Sequence, residues 1–169
     1  MLKIINDLRP FFEDCYRRIN VREYAKIMHV SPPTASKLLA HYNSEGLLLK
    51  EIYRNYILFH TNNESRNFID LSRIYWRHKL YKLLLAAEKE LTNPVVVLFG
   101  SLSKAETKKD SDVDLAVFAG KKKLNTTKIE MELKRRVHVL WLDSLNEVKN
   151  KELAGNIING YVLTGRLQI

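Results

Sequence analysis

Cysteine is nearly absent from this chain of 169 residues: Cys15 is the single one. That excludes an internal disulfide and any cysteine-rich zinc site. Long apolar runs are missing too. None approaches the roughly 20 residues of a membrane span, so no membrane partner is expected. The opening MLKIINDLRPFF lacks a signal-peptide layout, and we expect a cytoplasmic protein. Glycine and proline are sparse, at 6 and 4, and no repeat or low-complexity tract appears. Acid is short as well. Asp and Glu total 19 against 28 Lys and Arg, a net charge of +9. The excess falls on both halves of the chain, and such a basic surface suits a polyanion, nucleic acid being the usual one.

What is present fits one medium domain or two small ones. The first stretch reads as short helices followed by a hairpin. Leu8 to Arg18 is expected as an amphipathic helix that tolerates Pro10 in its first turn. Val21 to Met28 is a second, with Tyr24, Ala25, Ile27 and Met28 as its apolar set. SPPTASKLLAHYNSEG is a third: Ser31 is a good N-cap, Pro32 suits the first helical position, and Gly46 is a good stop. Ala35, Leu38, Leu39 and Tyr42 share one of its faces. Leu47 to Tyr53 and Tyr56 to Thr61 then read as strands around Arg54-Asn55.

The segment from Val21 to Gly46 with the two strands after it resembles the winged helix-turn-helix family of DNA-binding domains. The resemblance implies double-stranded DNA as a partner, with the start of the third helix in the major groove. Pro33, Thr34, Ser36 and Lys37 lie off its apolar face, where they would meet bases or phosphates. His41 is expected near the backbone one turn on, and Arg54 at the wing tip near a phosphate. A homodimer would suit paired half-sites. A winged helix that contacts proteins instead of DNA is the alternative reading.

Residues 64 to 91 show helical spacing, with Phe68, Leu71, Ile74, Tyr75, Leu80, Leu83 and Leu84 recurring at threes and fours. We expect one helix or two, with Trp76, Tyr75 and Tyr81 in the core. Lys121 to Lys123 reads as a solvated loop.

The chemistry concentrates in LFGSLSKAETKKDSDVDL, Leu98 to Leu115. Asn93-Pro94 ends the helical stretch, and Val95 to Phe99 is a buried strand by composition. Gly100-Ser101 closes it. A glycine lets backbone approach a ligand, and a helix starting there would offer free N–H groups to phosphate. Ser101 adds a hydroxyl, and Lys104 can balance negative charge. Asp112 and Asp114 open the next strand two residues apart, so both carboxylates face one way. Two adjacent carboxylates stay ionised most readily beside a cation. Magnesium takes carboxylate and phosphate oxygens together, and two such ions can clamp an in-line phosphoryl transfer.

Gly-Ser, ten residues and Asp-x-Asp before an apolar run resembles the nucleotidyltransferase superfamily of DNA polymerase beta, most closely its minimal members. The resemblance runs from about Leu80 onward, and NKELAGNIINGYVLTGRL is similar to that group's last helix and short strand. It implies transfer of a nucleoside monophosphate from a nucleoside triphosphate to a hydroxyl of a protein or nucleic acid. Gly100, Ser101 and Lys104 would bind the triphosphate. Asp112 and Asp114 would be catalytic and hold magnesium, or manganese. Minimal members are often antitoxins that modify a partner protein.

The sequence departs from that family at one place that matters. A third carboxylate is expected on a later strand beside the Asp-x-Asp strand. Here the strand is RRVHVLWLDSL, and the position falls on His138. Asp143 lies about 17 Å further along an extended strand and on the opposite face. His138 is therefore read as a metal ligand or base, as the mark of a weakened site, or as a sign that Glu130 or Glu132 enters from the preceding helix. Ser103 and Ala105 also depart from the family's turn, which more often carries a glycine after the basic residue.

The expected architecture is α+β. A winged helix-turn-helix domain spans residues 1–62, a connecting helix 63–92, and a nucleotidyltransferase-like mixed sheet with flanking helices 93–169. The expected function is nucleotidyl transfer targeted by the winged helix. The alternative is a catalytically impaired, DNA-binding transcriptional regulator or antitoxin on the same fold.

Overall fold

The computed structural model describes residues 2–120 and 124–167, so the expected loop at Lys121 to Lys123 lies outside the described residues. The chain divides into two units. One comprises Met1–Tyr75 with Ala105–Lys109, the other Trp76–Lys104 with Asp110–Ile169.

The first unit opens with two short helices, α1 (Lys3–Asp7) and α2 (Arg9–Glu13), where one helix from Leu8 to Arg18 was expected. Pro10 explains the break, because its ring obstructs the carbonyl four residues back and it offers no N–H. It therefore sits in the first turn of α2. That helix ends early because Asp14 is extended and its carboxylate accepts the Tyr16 N–H at 3.2 Å, a local turn that competes with helix. β1 (Ile19–Asn20) leads into α3 (Val21–Met28), capped by the Asn20 side chain on the Glu23 N–H. α4 (Pro32–Ser44) starts at Ser31, whose hydroxyl accepts the Thr34 N–H, and buries Ala35, Leu39 and Tyr42. β2 (Leu48–Tyr53) and β3 (Tyr56–Thr61) pair antiparallel, and β1 adds to β3. Arg54 and Asn55 between them take φ +45° and +68°, the left-handed pair that a tight hairpin requires.

Buried Asp7 ties these pieces together. The Tyr42 hydroxyl donates to its carboxylate at 2.7 Å and the Tyr24 hydroxyl to its carbonyl at 2.8 Å. Burial, with the Asp7 charge nearby, drives both phenols upward. Cys15 is buried too, and burial pushes its thiol up to about 11, which leaves it unreactive at neutral pH.

The stretch after the hairpin forms two helices, α5 (Arg66–Lys79) and α6 (Tyr81–Glu90). Phe68, Tyr75, Trp76, Leu80, Leu83 and Leu84 are buried as their spacing predicts. Ile74 and Tyr81 are not: they are 42% and 57% exposed. The buried stripe of α5 runs through Phe68, Ser72 and Tyr75–Trp76, which turns Ile74 outward. In α6 it runs through Leu80, Leu84 and Ala87, and Tyr81 faces away with Leu85.

The second unit is built on a four-stranded mixed sheet in the order β6-β5-β4-β7. Its strands are β4 (Val95–Phe99), β5 (Val113–Phe118), β6 (Val137–Leu142) and β7 (Tyr161–Thr164). β4 runs antiparallel to β5 and β7, whereas β5 and β6 are parallel. Parallel neighbours need a crossover, and α7 (Thr127–Leu133) supplies it. One face of the sheet packs Val97, Ala116 and Leu142 against Ile157 of α8 (Lys151–Ile158), with Phe99, Leu140 and Leu153 partly buried around them. Val96, Leu98, Leu115 and Val117 on the other face are also fully buried. Burial on both faces is why β4 and β5 read as nearly continuous apolar runs. Among the described residues no helix is long and apolar enough to cross a membrane.

Gly160 joins α8 to β7 where the chain has no room for a side chain. A Cβ there would lie 2.7 Å from both the Leu98 carbonyl oxygen and Val97 Cγ1. We expect Gly160→Ala to lower stability by about 1–3 kcal/mol, seen as a lower urea midpoint. An unchanged midpoint would mean that β7 shifts on β4 at no cost.

Candidate functional site

The end of β4 and the starts of β5 and β6 lie at one end of the sheet. Register makes this a row: Phe99 pairs with Asp114, and Asp114 pairs with His138. Asp112 stands one step before β5, and the Val113 N–H is held by the Arg136 carbonyl at 2.9 Å. Asp114 shares the sheet face of Ala116 and His138 that of Leu142, which is the face α8 covers. The row is the uncovered end of that face.

Gly100 adopts φ +70°, a conformation that favours glycine. It also approaches Asp114 so closely that an added Cβ would fall 2.4 Å from Asp114 Oδ2. Both constraints demand glycine, and the second lets the Asp114 carboxylate pack directly against the backbone of the turn. The expected helix after this turn is a single 3-10 turn, Ser101–Lys104, so any phosphate cradle rests on the turn's own N–H groups and not on a helix dipole. The turn is braced from within, since the buried Ser103 hydroxyl donates to the Gly100 carbonyl at 2.8 Å. Ala105 sits at φ +56°, so the backbone keeps here a left-handed conformation that suits glycine. Lys104 is exposed, and its Nζ donates to Asn156 Oδ1 of α8 at 2.9 Å. Nothing in the sequence pattern singles out Asn156; the packing of α8 brings it there.

His138 stands across both carboxylates. Its Nε2 is 3.6 Å from Asp112 Oδ2 and its Nδ1 is 3.7 Å from Asp114 Oδ1. Both distances are longer than hydrogen bonds, and each becomes an ion pair only with a protonated imidazole. Asp114 is the more buried aspartate, and burial raises its carboxyl above the usual range. His138 opposes that shift and Asp112 adds to it.

The other carboxylates of the region are engaged elsewhere. Glu130 accepts the Val137 N–H at 2.8 Å, and Glu132 pairs with Lys82 at 2.6 Å. Asp143 follows the far end of β6, where a cavity of about 820 Å³ opens among Asn93, Phe118, Asp143, Thr164 and Arg166. Among the described residues no three His, Cys, Asp or Glu side chains converge as a metal site. Asp112 and Asp114 are the oxygen donors available to a divalent cation, whose remaining ligands must come from elsewhere. Two carboxylates on one face fit a hard ion such as magnesium.

In the first unit, Pro33, Thr34, Ser36, Lys37 and His41 are all exposed on α4. The Thr34 hydroxyl shares a 2.8 Å hydrogen bond with that of Ser31, and the His41 ring lies 5.4 Å from Tyr42. Arg54 is at the hairpin turn, its guanidinium 5.3 Å over the Tyr53 ring.

A family model described as "Polymerase beta, Nucleotidyltransferase" matches residues 82–168. No curated protein and no solved structure matches the chain.

The raised carboxyl of Asp114 carries a stability consequence. A carboxyl whose folded-state value lies above its unfolded value costs stability once ionised, and the cost disappears below both values. We therefore expect Asp114→Asn to raise the melting temperature at pH 7. The gain should vanish on acidification well below the ordinary aspartate value. A lower melting temperature at pH 7 would show that His138 pairing outweighs desolvation.

Proposed function

The chain belongs to the polymerase beta nucleotidyltransferase family, and from that premise we propose that it transfers a nucleoside monophosphate from a nucleoside triphosphate to a hydroxyl. The observation that carries this reading is the row Gly100–Asp114–His138, with Asp112 beside it at the sheet end. The turn at Gly100-Ser101 would receive the triphosphate through its backbone N–H groups, and Lys104 would balance its charge. Asp112 and Asp114 would hold magnesium, which when bound polarises the phosphoryl group and neutralises charge on the leaving pyrophosphate. The acceptor oxygen attacks the α-phosphorus as the bond to the β-phosphate oxygen breaks. The acceptor proton passes to an imidazole nitrogen of His138, which holds the place of a third carboxylate. Manganese accepts nitrogen ligands more readily than magnesium and would tolerate His138 better.

A second reading follows from that same histidine. Magnesium prefers oxygen, and a nitrogen at this position suits a site that binds nucleotide without turning it over. The chain would then be a DNA-binding transcriptional regulator or antitoxin on a nucleotidyltransferase fold. One titration separates the two. Labelled nucleoside triphosphates are added with magnesium or manganese, and binding is followed together with pyrophosphate release. We expect release by the wild type, lowered at least about a hundredfold in Asp112→Asn. Binding without release, with release appearing in His138→Asp, would favour the second reading. No binding would overturn both.

We assign the first unit to duplex DNA. Its helices and hairpin follow the order of a winged helix-turn-helix, and Lys37 and Arg54 offer cations on the α4 face and at the hairpin tip. Targeting by this unit would bring the transfer site to nucleic acid or to a protein bound there. A gel-shift titration across salt should show weaker binding for Lys37→Ala with Arg54→Ala. The salt slope should fall by about two, one for each lost phosphate contact. An unchanged slope would remove α4 and the hairpin from the interface.

A further inference from the structure

Arg135 lies between two further cations in the sequence, Lys134 and Arg136. The guanidinium lies over the ring of Trp76, 5.3 Å from the centroid, and Trp76 is 1% exposed. From that position Nη1 donates to the carbonyl of Ser111 at 2.5 Å. Ser111 is joined by one peptide bond to Asp112.

We propose that Arg135 is a positioning residue for Asp112: lying over the Trp76 ring, it holds the Ser111 carbonyl and so aims the carboxylate that follows. The inference rests on the reading that Asp112 binds the cation. The neighbouring hydrogen bond completes the clamp, because the Val113 N–H is held by the Arg136 carbonyl at 2.9 Å. Asp112 is thus flanked by a fixed carbonyl on one side and a fixed N–H on the other. Among the described residues its own carboxylate makes only the 3.6 Å approach to His138, so its placement rests largely on the backbone that carries it. Arginine suits the task where lysine does not. A planar guanidinium can stack on an indole and donate in its own plane at once, whereas an ammonium has no plane to stack. The left-handed turn at Lys134, φ +54°, ends α7 and sets Arg135 at this point of the chain.

The test uses the full chain and manganese alone as probe, read by the signal of the free ion. Arg135→Lys keeps the charge and removes the fork. We expect it to weaken manganese binding by about 10–100-fold while the far-ultraviolet spectrum stays native. Combined with Asp112→Asn it should weaken binding no further than Asp112→Asn alone. An additive loss, or manganese affinity unchanged in Arg135→Lys, would overturn the proposal. Hydrogen exchange reads the same clamp without any ligand. The Val113 amide should exchange several-fold faster in Arg135→Lys, while those of Leu98 and Leu115 are unaffected. Equal protection at Val113 would also overturn it. If the wild type binds no manganese, the functional reading fails and the exchange result still decides whether Arg135 holds this backbone.

Discussion

The parallel pairing of β5 with β6 is the constraint on which the second unit depends. It starts both strands at the sheet end where antiparallel β4 finishes. Three separate chain segments then deliver the Gly100 turn, the two aspartates and His138 to one place. Were β6 antiparallel to β5, its first residues would lie at the other end, beside the cavity that now holds Asp143. The crossover through α7 enforces the choice, because a parallel neighbour cannot be reached by a hairpin. Glu130 then reinforces it by receiving the N–H of Val137 as the strand begins.

The site end of the sheet is stabilised differently from the rest. Along its middle, the faces carry fully buried Val97, Ala116, Leu98 and Leu115. At the end, Asp114 replaces an apolar side chain in the same alternation, and burial raises its carboxyl. A glycine in left-handed conformation gives up side-chain contacts so that the carboxylate packs against its backbone. The surrounding bonds hold the end together: Ser103 on the Gly100 carbonyl, Lys104 on Asn156 and the Arg136 carbonyl on the Val113 N–H.

The first unit is held by a polar centre. Asp7 receives hydroxyls from α3 and α4, so helix packing and a buried polar residue are coupled through two tyrosines. Its hairpin, by contrast, ends in exposed Ile52, Tyr53, Tyr56 and Ile57 with Arg54 folded onto Tyr53. The tip is thus more aromatic and less free in charge than Arg54 suggests in the sequence.

Local physics made much of the secondary structure readable. Ser31 with Pro32 starts α4, Arg54-Asn55 turns the hairpin, and Asn93-Pro94 separates α6 from β4. Those signals act through neighbours in the chain, and the sequence alone determines them. The Gly-Ser and Asp-x-Asp spacing is likewise a property of the chain alone, within residues 98–115. The failures were also local in cause. Pro10 split a helix that its apolar spacing joined, and Ile74 and Tyr81 fell just outside the buried stripes. Tertiary structure alone decided the rest. It set how closely Gly100 packs on Asp114, gave Glu130 and Glu132 to structural partners, and brought Asn156 to Lys104 and Trp76 to Arg135. The physical reason is register: spacing along a strand is a property of the chain, but which residue stands opposite is fixed only when strands pair.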